Sequence, residues 1–275
     1  MDFMQTMRVD DGRNIGVHGS PAPAGGVTVF WHHGTPGTGA PPPVALPRED
    51  WTWAGVDRPG YGGSERLEGR SVADSAADVR AVADHWGLDR FAVVGYSGGG
   101  PHALACAGAD ARVQWAVTVA SLAPRDAAEL DWFGGMIASG VQALGAAEEG
   151  ELARRRLDDD LYDPEFTLTD QIALEGELAW LGEASSAAAQ DMDGPIDDDL
   201  AYVRPWGVDI DAVQCPVIAV HGGADGIAPV WHSRWLIKNL RRGYLVERPD
   251  AGHVSALTRL PYALELMAER SAAQA

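Results

Sequence analysis

Ser97, Asp225 and His253 have the chemistry of a nucleophile, an acid and a base, and each sits among glycines. Ser97 lies in Gly95-Tyr96-Ser97-Gly98-Gly99, the G-x-S-x-G spacing of a serine held on a sharp strand-to-helix turn. The requirement is steric. A strained backbone at the serine leaves no space for side chains two positions to either side. Gly98 and Gly100 are expected to loosen the turn further. Pro101 is acceptable because the first N–H groups of a helix have no intrahelical partner. Taken alone, the pentapeptide is equally a glycine-rich turn with an incidental serine. An aspartate in the Gly222-Gly223-Ala224-Asp225-Gly226 turn and a histidine after Gly252 are just as ordinary one at a time. Together, a serine served by a histidine that a carboxylate orients performs covalent acyl transfer.

The elements that would position these residues follow from hydrophobic periodicity. Met4 to Val9 and Asn14 to His18 read as short strands around the hairpin turn Asp10-Asp11-Gly12-Arg13. Compact apolar runs at 27–31, 51–56, 91–94, 113–119 and 216–220 suit buried strands, and Tyr244-Leu245-Val246 is the last. Between them, Val72, Ala76, Val79, Ala83 and Trp86 share a helical face that Gly87 ends, and a small-residue helix follows Ser97. Val230 to Leu240 reads as an amphipathic helix with Trp231, Trp235 and Ile237 as its apolar residues, and a closing helix runs from about Leu260 to Ala268. Strands alternating with helices after a hairpin predict a mostly parallel sheet with helices on both faces. Ser97, Asp225 and His253 then follow three different strands, at the end of a parallel sheet where ligands gather.

Residues 121–211 break that rhythm. They hold no convincing buried strand, and helix-like patches fall at about 127–144, 150–157, 169–181 and 197–203. This stretch carries 22 of the 40 acids but only 5 arginines, and so most of the net charge of −19. A helical insertion over one end of the sheet fits, with its acids facing water. Asp158-Asp159-Asp160 and Asp197-Asp198-Asp199 lack the spaced loop pattern of a calcium hand and read as solvated acidic caps. The acidic balance argues against nucleic acid and anionic lipid as partners. Lys238 is the only lysine, which fits either a GC-rich genome or a salt-adapted surface. Cys106 and Cys215 sit in apolar surroundings and read as buried free thiols. The first residues do not form a signal peptide and no apolar run approaches a membrane span, so a cytoplasmic protein is the default expectation.

Past the third strand comes His32-His33-Gly34-Thr35-Pro36-Gly37, a tight loop able to turn a backbone N–H inward toward a developing oxyanion. His33 is expected to pin that backbone, and His32 is open. With this loop, Asp57-Arg58-Pro59-Gly60-Tyr61-Gly62-Gly63-Ser64, the Gly95–Gly99 stretch, the Asp225 turn and the Gly252-His253 loop, nearly the whole chain resembles the α/β-hydrolase fold superfamily with a serine nucleophile and a helical cap. The resemblance implies a core domain of 1–120 and 212–275 and a cap, or lid, of 121–211. It implies a Ser97–His253–Asp225 triad and an oxyanion hole made by the backbone N–H of Gly98 and that of Thr35, unless Gly34 supplies the second. Such chemistry needs no metal and no organic cofactor. Serine at 97 disfavours the dehalogenase and epoxide-hydrolase branches, which place aspartate there. Three reactions are left on a small-molecule substrate. They are hydrolysis of an ester-type bond in a small or medium, largely apolar compound, proline-iminopeptidase-like aminopeptidase action, and carbon–carbon bond hydrolysis. A ligand-binding receptor of the same fold is the non-enzymatic alternative, disfavoured by the filled triad. Trp132, Phe133, Ile137 and Trp180 are pocket walls or packing residues. The oligomeric state is not legible.

Overall fold

A computed structural model describes residues 4–157, 161–189 and 191–272. The apolar runs become strands β1 (Gln5–Arg8), β2 (Asn14–Gly19), β3 (Val27–His32), β4 (Trp51–Val56), β5 (Phe91–Tyr96), β6 (Val113–Val119), β7 (Val217–Gly222) and β8 (Gly243–Arg248). They form one eight-stranded sheet in the order β1-β2-β4-β3-β5-β6-β7-β8. β1 pairs with β2 and β2 with β4 in antiparallel fashion, and every pair from β4·β3 to β7·β8 is parallel. β3, β5 and β7 are buried along their whole length, as strands covered on both faces must be.

The period-two alternation of those strands feeds two separate cores. Phe30 and Val93 face helices α1 (Asp74–His85) and α2 (Gly99–Ala109), packing with Val79, Val82 and Leu104. α8 (Trp231–Asn239) joins that side through Leu236. Val29, Trp31 and Val94 turn to the other face, against Leu260, Leu264 and Met267 of α9 (Leu260–Ala272). Burying both faces of β3 and β5 is what fixes their register and holds their C-terminal ends side by side.

Between β6 and β7 the regular elements among the described residues are helices joined by turns and loops: α3 (Ala138–Glu149), α4 (Glu151–Arg154), α5 (Leu168–Glu175), α6 (Ala179–Ala188) and α7 (Asp193–Tyr202), with a short 3₁₀ turn at Ile210–Ala212. Two readings of the sequence need correction. The helix expected from Ala127 begins only at Ala138, because Glu129 and Gly135 take left-handed backbone conformations and 127–137 is a chain of turns. On α8, Trp231 points outward, and the inward face is His232, Ser233 and Leu236. That face is polar because it supplies hydrogen bonds: Ser233 Oγ lies 2.6 Å from His221 Nδ1, and His232 Nδ1 accepts from Ala123 N–H at 3.0 Å. Cys106 is buried and Cys215 half-buried, both as free thiols.

The connection from β5 to α2 has no spare volume. A Cβ on Gly95 would lie 2.3 Å from the carbonyl oxygen of Gly99, and one on Gly99 would lie 2.0 Å from that of His32. Both obstacles are backbone, so relief requires moving β3 or the start of α2. Gly99→Ala should therefore lose roughly 1–3 kcal/mol or more of stability, the usual cost of overpacking. Urea unfolding followed by circular dichroism checks this, and an unchanged midpoint would show that the turn has slack.

Candidate active site

Ser97 carries φ = +51°, a left-handed conformation that a serine adopts only when its surroundings impose it. Its N–H donates to Val119 O at 2.8 Å, tying the turn to the end of β6, and its carbonyl accepts from Gly100 N–H at 2.9 Å. The neighbouring glycines do not loosen this turn, as the sequence suggested. They admit close packing: a Cβ on Gly98 would lie 2.2 Å from Tyr202 Oη, and one on Gly100 2.2 Å from Ser121 Oγ.

Ser97 Oγ lies 2.8 Å from His253 Nε2, and His253 Nδ1 lies 2.8 Å from Asp225 Oδ2. The three residues come from the ends of β5, β8 and β7, so the sheet brings together groups up to 156 positions apart. The second Asp225 oxygen, Oδ1, accepts from the N–H groups of Ile227 at 2.8 Å and Ala228 at 2.9 Å, which fixes the carboxylate plane. Burial would raise the Asp225 carboxyl. Its interactions with His253 and with His221 outweigh that and hold the group well below the ordinary carboxylate range.

The loop after β3 is pinned through its carbonyls. Arg58 donates to His33 O through Nη1 and to Gly34 O through Nη2, the second at 2.9 Å. In a trans peptide the C=O and N–H point in opposite directions, so holding Gly34 O directs Thr35 N–H the other way. The Ser97–Gly98 peptide is fixed likewise, by the Gly100 N–H on Ser97 O. Neither Thr35 N–H nor Gly98 N–H takes an acceptor among the described residues. His33 braces this loop, with Nδ1 2.8 Å from Gly34 O and Nε2 accepting from Arg58 N–H at 3.3 Å. His32 is buried, and its Nε2 lies 3.6 Å from Cys106 Sγ beneath the sheet ends.

Two cavities meet at Ser97. One, of about 260 Å³, runs past Gly98 to Leu122, Ala143, Leu144 and Met192. The other, of about 360 Å³, includes His253 and is walled by Tyr96, Phe166, Leu174 and Leu181. Thr35, Pro36, Tyr162 and Ile227 border both. None of the four residues singled out as alternative pocket walls lines either cavity. Trp132 is buried with its Nε1–H on Ala123 O at 2.8 Å, Phe133 packs edge-on against it, Trp180 packs on Trp31, and the Ile137 N–H donates to Gly226 O at 2.7 Å.

The acids at 197–199 are not solvated, contrary to their reading from sequence. Asp197 bonds Arg66 Nε at 2.8 Å, and Asp199 bonds Arg154 Nε at 2.7 Å on the cavity wall. Asp198 is fully buried: Oδ1 meets Arg58 Nε at 3.1 Å and Arg70 Nη2 at 2.6 Å. Its Oδ2 meets Arg58 Nη2 and Thr35 Oγ1 at 2.6 Å each and Tyr61 Oη at 2.8 Å. Asp197 and Asp198 are buried and Asp199 partly so, because α7 lies against loops that supply Arg58, Arg66 and Arg70 and against α4, which supplies Arg154. Asp158, Asp159 and Asp160 lie outside the described residues. A second buried acid missed from sequence, Asp170 on α5, accepts from Ser255 N–H at 2.7 Å and Ser255 Oγ at 2.8 Å, two residues past His253. No helix among the described residues is long and apolar enough to cross a membrane.

The sequence pattern of the family described as "alpha/beta hydrolase fold" matches residues 27–260. The chain belongs to that family. With the eight-stranded, mostly parallel sheet, this makes the protein a hydrolase-type enzyme of the α/β class. A pimeloyl-[acyl-carrier protein] methyl ester esterase of Chromobacterium violaceum is 27% identical over 235 residues, spanning 80% of this chain and 84% of that protein. Among solved structures, a bromoperoxidase from Bacillus anthracis superposes with a TM-score of 0.73 at 18% identity, covering 98% of this chain and 100% of that one. An enol-lactonase from Burkholderia xenovorans LB400 gives 0.68 at 17% identity, covering 96% and 98%. These two likenesses speak to the fold.

Burial alone would raise the Asp198 carboxyl, but Arg58 and Arg70 hold it well below the usual carboxylate range. A carboxyl lowered in the folded state contributes stability above its unfolded value, about pH 4, and loses it as the pH falls further. Urea midpoints should therefore drop below about pH 4, and Asp198→Asn should flatten part of that drop. An equal acid-side slope in the variant would remove Asp198 from the cause.

Proposed function

We propose that the protein is a serine esterase that cleaves small or medium, largely apolar esters through an acyl-enzyme. The observation that carries this reading is the unbroken chain from Ser97 Oγ through both His253 nitrogens to Asp225, 2.8 Å at each step. His253 Nε2 takes the Ser97 hydroxyl proton as Oγ attacks the ester carbonyl, and Asp225 orients the ring and stabilises the imidazolium. The carbonyl oxygen becomes an oxyanion that receives the N–H groups of Thr35 and Gly98. Each such donor is worth about 3 kcal/mol in the transition state. As the tetrahedral adduct collapses, His253 returns the proton to the departing alkoxide. Water then repeats both steps on the acyl-enzyme and releases the acid. Segment 121–211 serves as the cap that walls the site.

The two cavities divide the substrate between them. The leaving alcohol must face His253, so the cavity of Phe166 and Leu181 takes the alcohol portion. The cavity of Leu144 and Met192 takes the acyl chain. The esterase named among the relatives supports ester cleavage, and its carrier-bound substrate is not assigned to this chain. The aminopeptidase alternative needs a carboxylate for the substrate amine, but Asp198 is already committed to Arg58 and Arg70, and Asp199 to Arg154.

Ser97→Ala and His253→Ala should each abolish hydrolysis of p-nitrophenyl esters without changing the circular dichroism spectrum. Asp225→Asn should lower kcat by roughly 10⁴-fold, since the ring is then held in the wrong tautomer. Near-full activity in Asp225→Asn would move the acid elsewhere.

In a panel of p-nitrophenyl acyl esters of graded length beside prolyl and alanyl arylamides, turnover should be confined to the esters. Met192→Trp should shorten the longest acyl chain accepted. Hydrolysis of the arylamides alone would overturn the esterase assignment.

A further inference from the structure

The loop bearing Thr35 is held by a helix 163 residues away in the chain. Asp198, on α7 between β6 and β7, spends both carboxylate oxygens on Arg58, and Arg58 spends its remaining donors on the carbonyls of His33 and Gly34. The same carboxylate accepts from Thr35 Oγ1 at 2.6 Å, so it grips the Gly34–Thr35 peptide from both ends. One turn along α7, Tyr202 Oη donates to Gly98 O at 3.0 Å and lies 2.8 Å from Thr35 Oγ1. Helix α7 therefore touches the residues on either side of the oxyanion position. Asp197, its neighbour on the same helix and also buried, is a natural contrast. It pairs with Arg66, which makes no hydrogen bond or ion pair to the 33–36 loop among the described residues.

We propose that Asp198 is a positioning residue for the oxyanion hole, setting through Arg58 and Thr35 Oγ1 the direction in which Thr35 N–H points. This rests on the esterase reading, because an oxyanion hole has meaning only if Ser97 attacks a carbonyl. Asp198 touches no reacting atom. It acts in the step where charge develops on the carbonyl oxygen, so its loss lowers transition-state binding while ground-state binding of an uncharged ester stays as it was.

The experiment compares purified wild type, Asp198→Asn, Arg58→Lys and Asp197→Asn on one p-nitrophenyl ester, and measures inhibition by an aryl trifluoromethyl ketone, whose serine adduct carries the same oxyanion. Asp198→Asn should lose about 10²-fold in kcat, the effect of one misplaced donor, with KM within threefold. The ketone should bind more weakly by a similar factor. Arg58→Lys retains a charge beside Asp198 but cannot hold two carbonyls and a carboxylate at once, so it should show the same split even if Asp198→Asn fails to fold. Asp197→Asn should melt lower yet retain kcat within about twofold. Equal losses in the 197 and 198 variants, or a change in KM alone, would overturn the proposal. An active wild type beside an Asp198→Asn or Arg58→Lys enzyme of near-normal kcat would overturn it and leave the esterase reading standing. A wild type inert toward esters would overturn both.

Discussion

The carbonyl of His32 lies 2.0 Å from where a Cβ at position 99 would sit, and this contact between β3 and the start of α2 governs the geometry around Ser97. Because the two backbones touch there, the chain leaving β5 cannot spread into an open loop. It must reverse within one residue, and that residue is left with φ = +51°. The strain is borne by a sheet buried on both faces, whose two cores pack Phe30 and Val93 on one side and Trp31 and Val94 on the other. A serine on such a turn projects its hydroxyl beyond the sheet end, where the loops after β7 and β8 deliver Asp225 and His253.

Charge burial is the second organising fact. Asp198, Arg58 and Arg70 are all removed from water, and ion pairs of this kind seldom repay their desolvation when compared with an apolar cluster of equal volume. What the arrangement provides is direction. A guanidinium fork reads a carboxylate and two carbonyls in one plane, which no hydrophobic contact does. The polar network lies where peptide orientation matters, beneath the 33–36 loop.

Much of the sheet could be read directly from the chain, because strands covered on both faces must be largely apolar, and the runs at 27–31, 91–94 and 216–220 mark β3, β5 and β7. The Ser97, Asp225 and His253 positions were legible for a related reason: each follows a strand, and the order of strands carries spatial information. Segment 121–211 was less transparent. Its helices lie on the site and on one another instead of in a sheet, so no strict period marks their inner faces. The Asp197–Asp199 run looked like a solvated face because three consecutive acids usually are one. A signal was present in the i, i+4 spacing that puts Asp198 and Tyr202 on one side of α7, and in two arginines, Arg58 and Arg70, set in loops. Matching acids on one element to cations on another requires the tertiary structure. The choice between pocket wall and packing residue was open for a similar reason, since Trp132 and Phe133 have the right chemistry for a cavity but are used to pack turns.

Asp198 also limits how freely this protein can be recombined with its relatives. A helical segment moved from this chain onto another α/β core would carry a carboxylate shaped to be met by arginines at positions equivalent to 58 and 70. In a core without them, that carboxylate would be buried and unpaired, at a cost of several kcal/mol. In the reverse graft, a helix lacking that carboxylate would leave Arg58 and Arg70 without their buried counter-charge. The segment and the two loops beneath it therefore form one heritable unit, to be exchanged together or not at all.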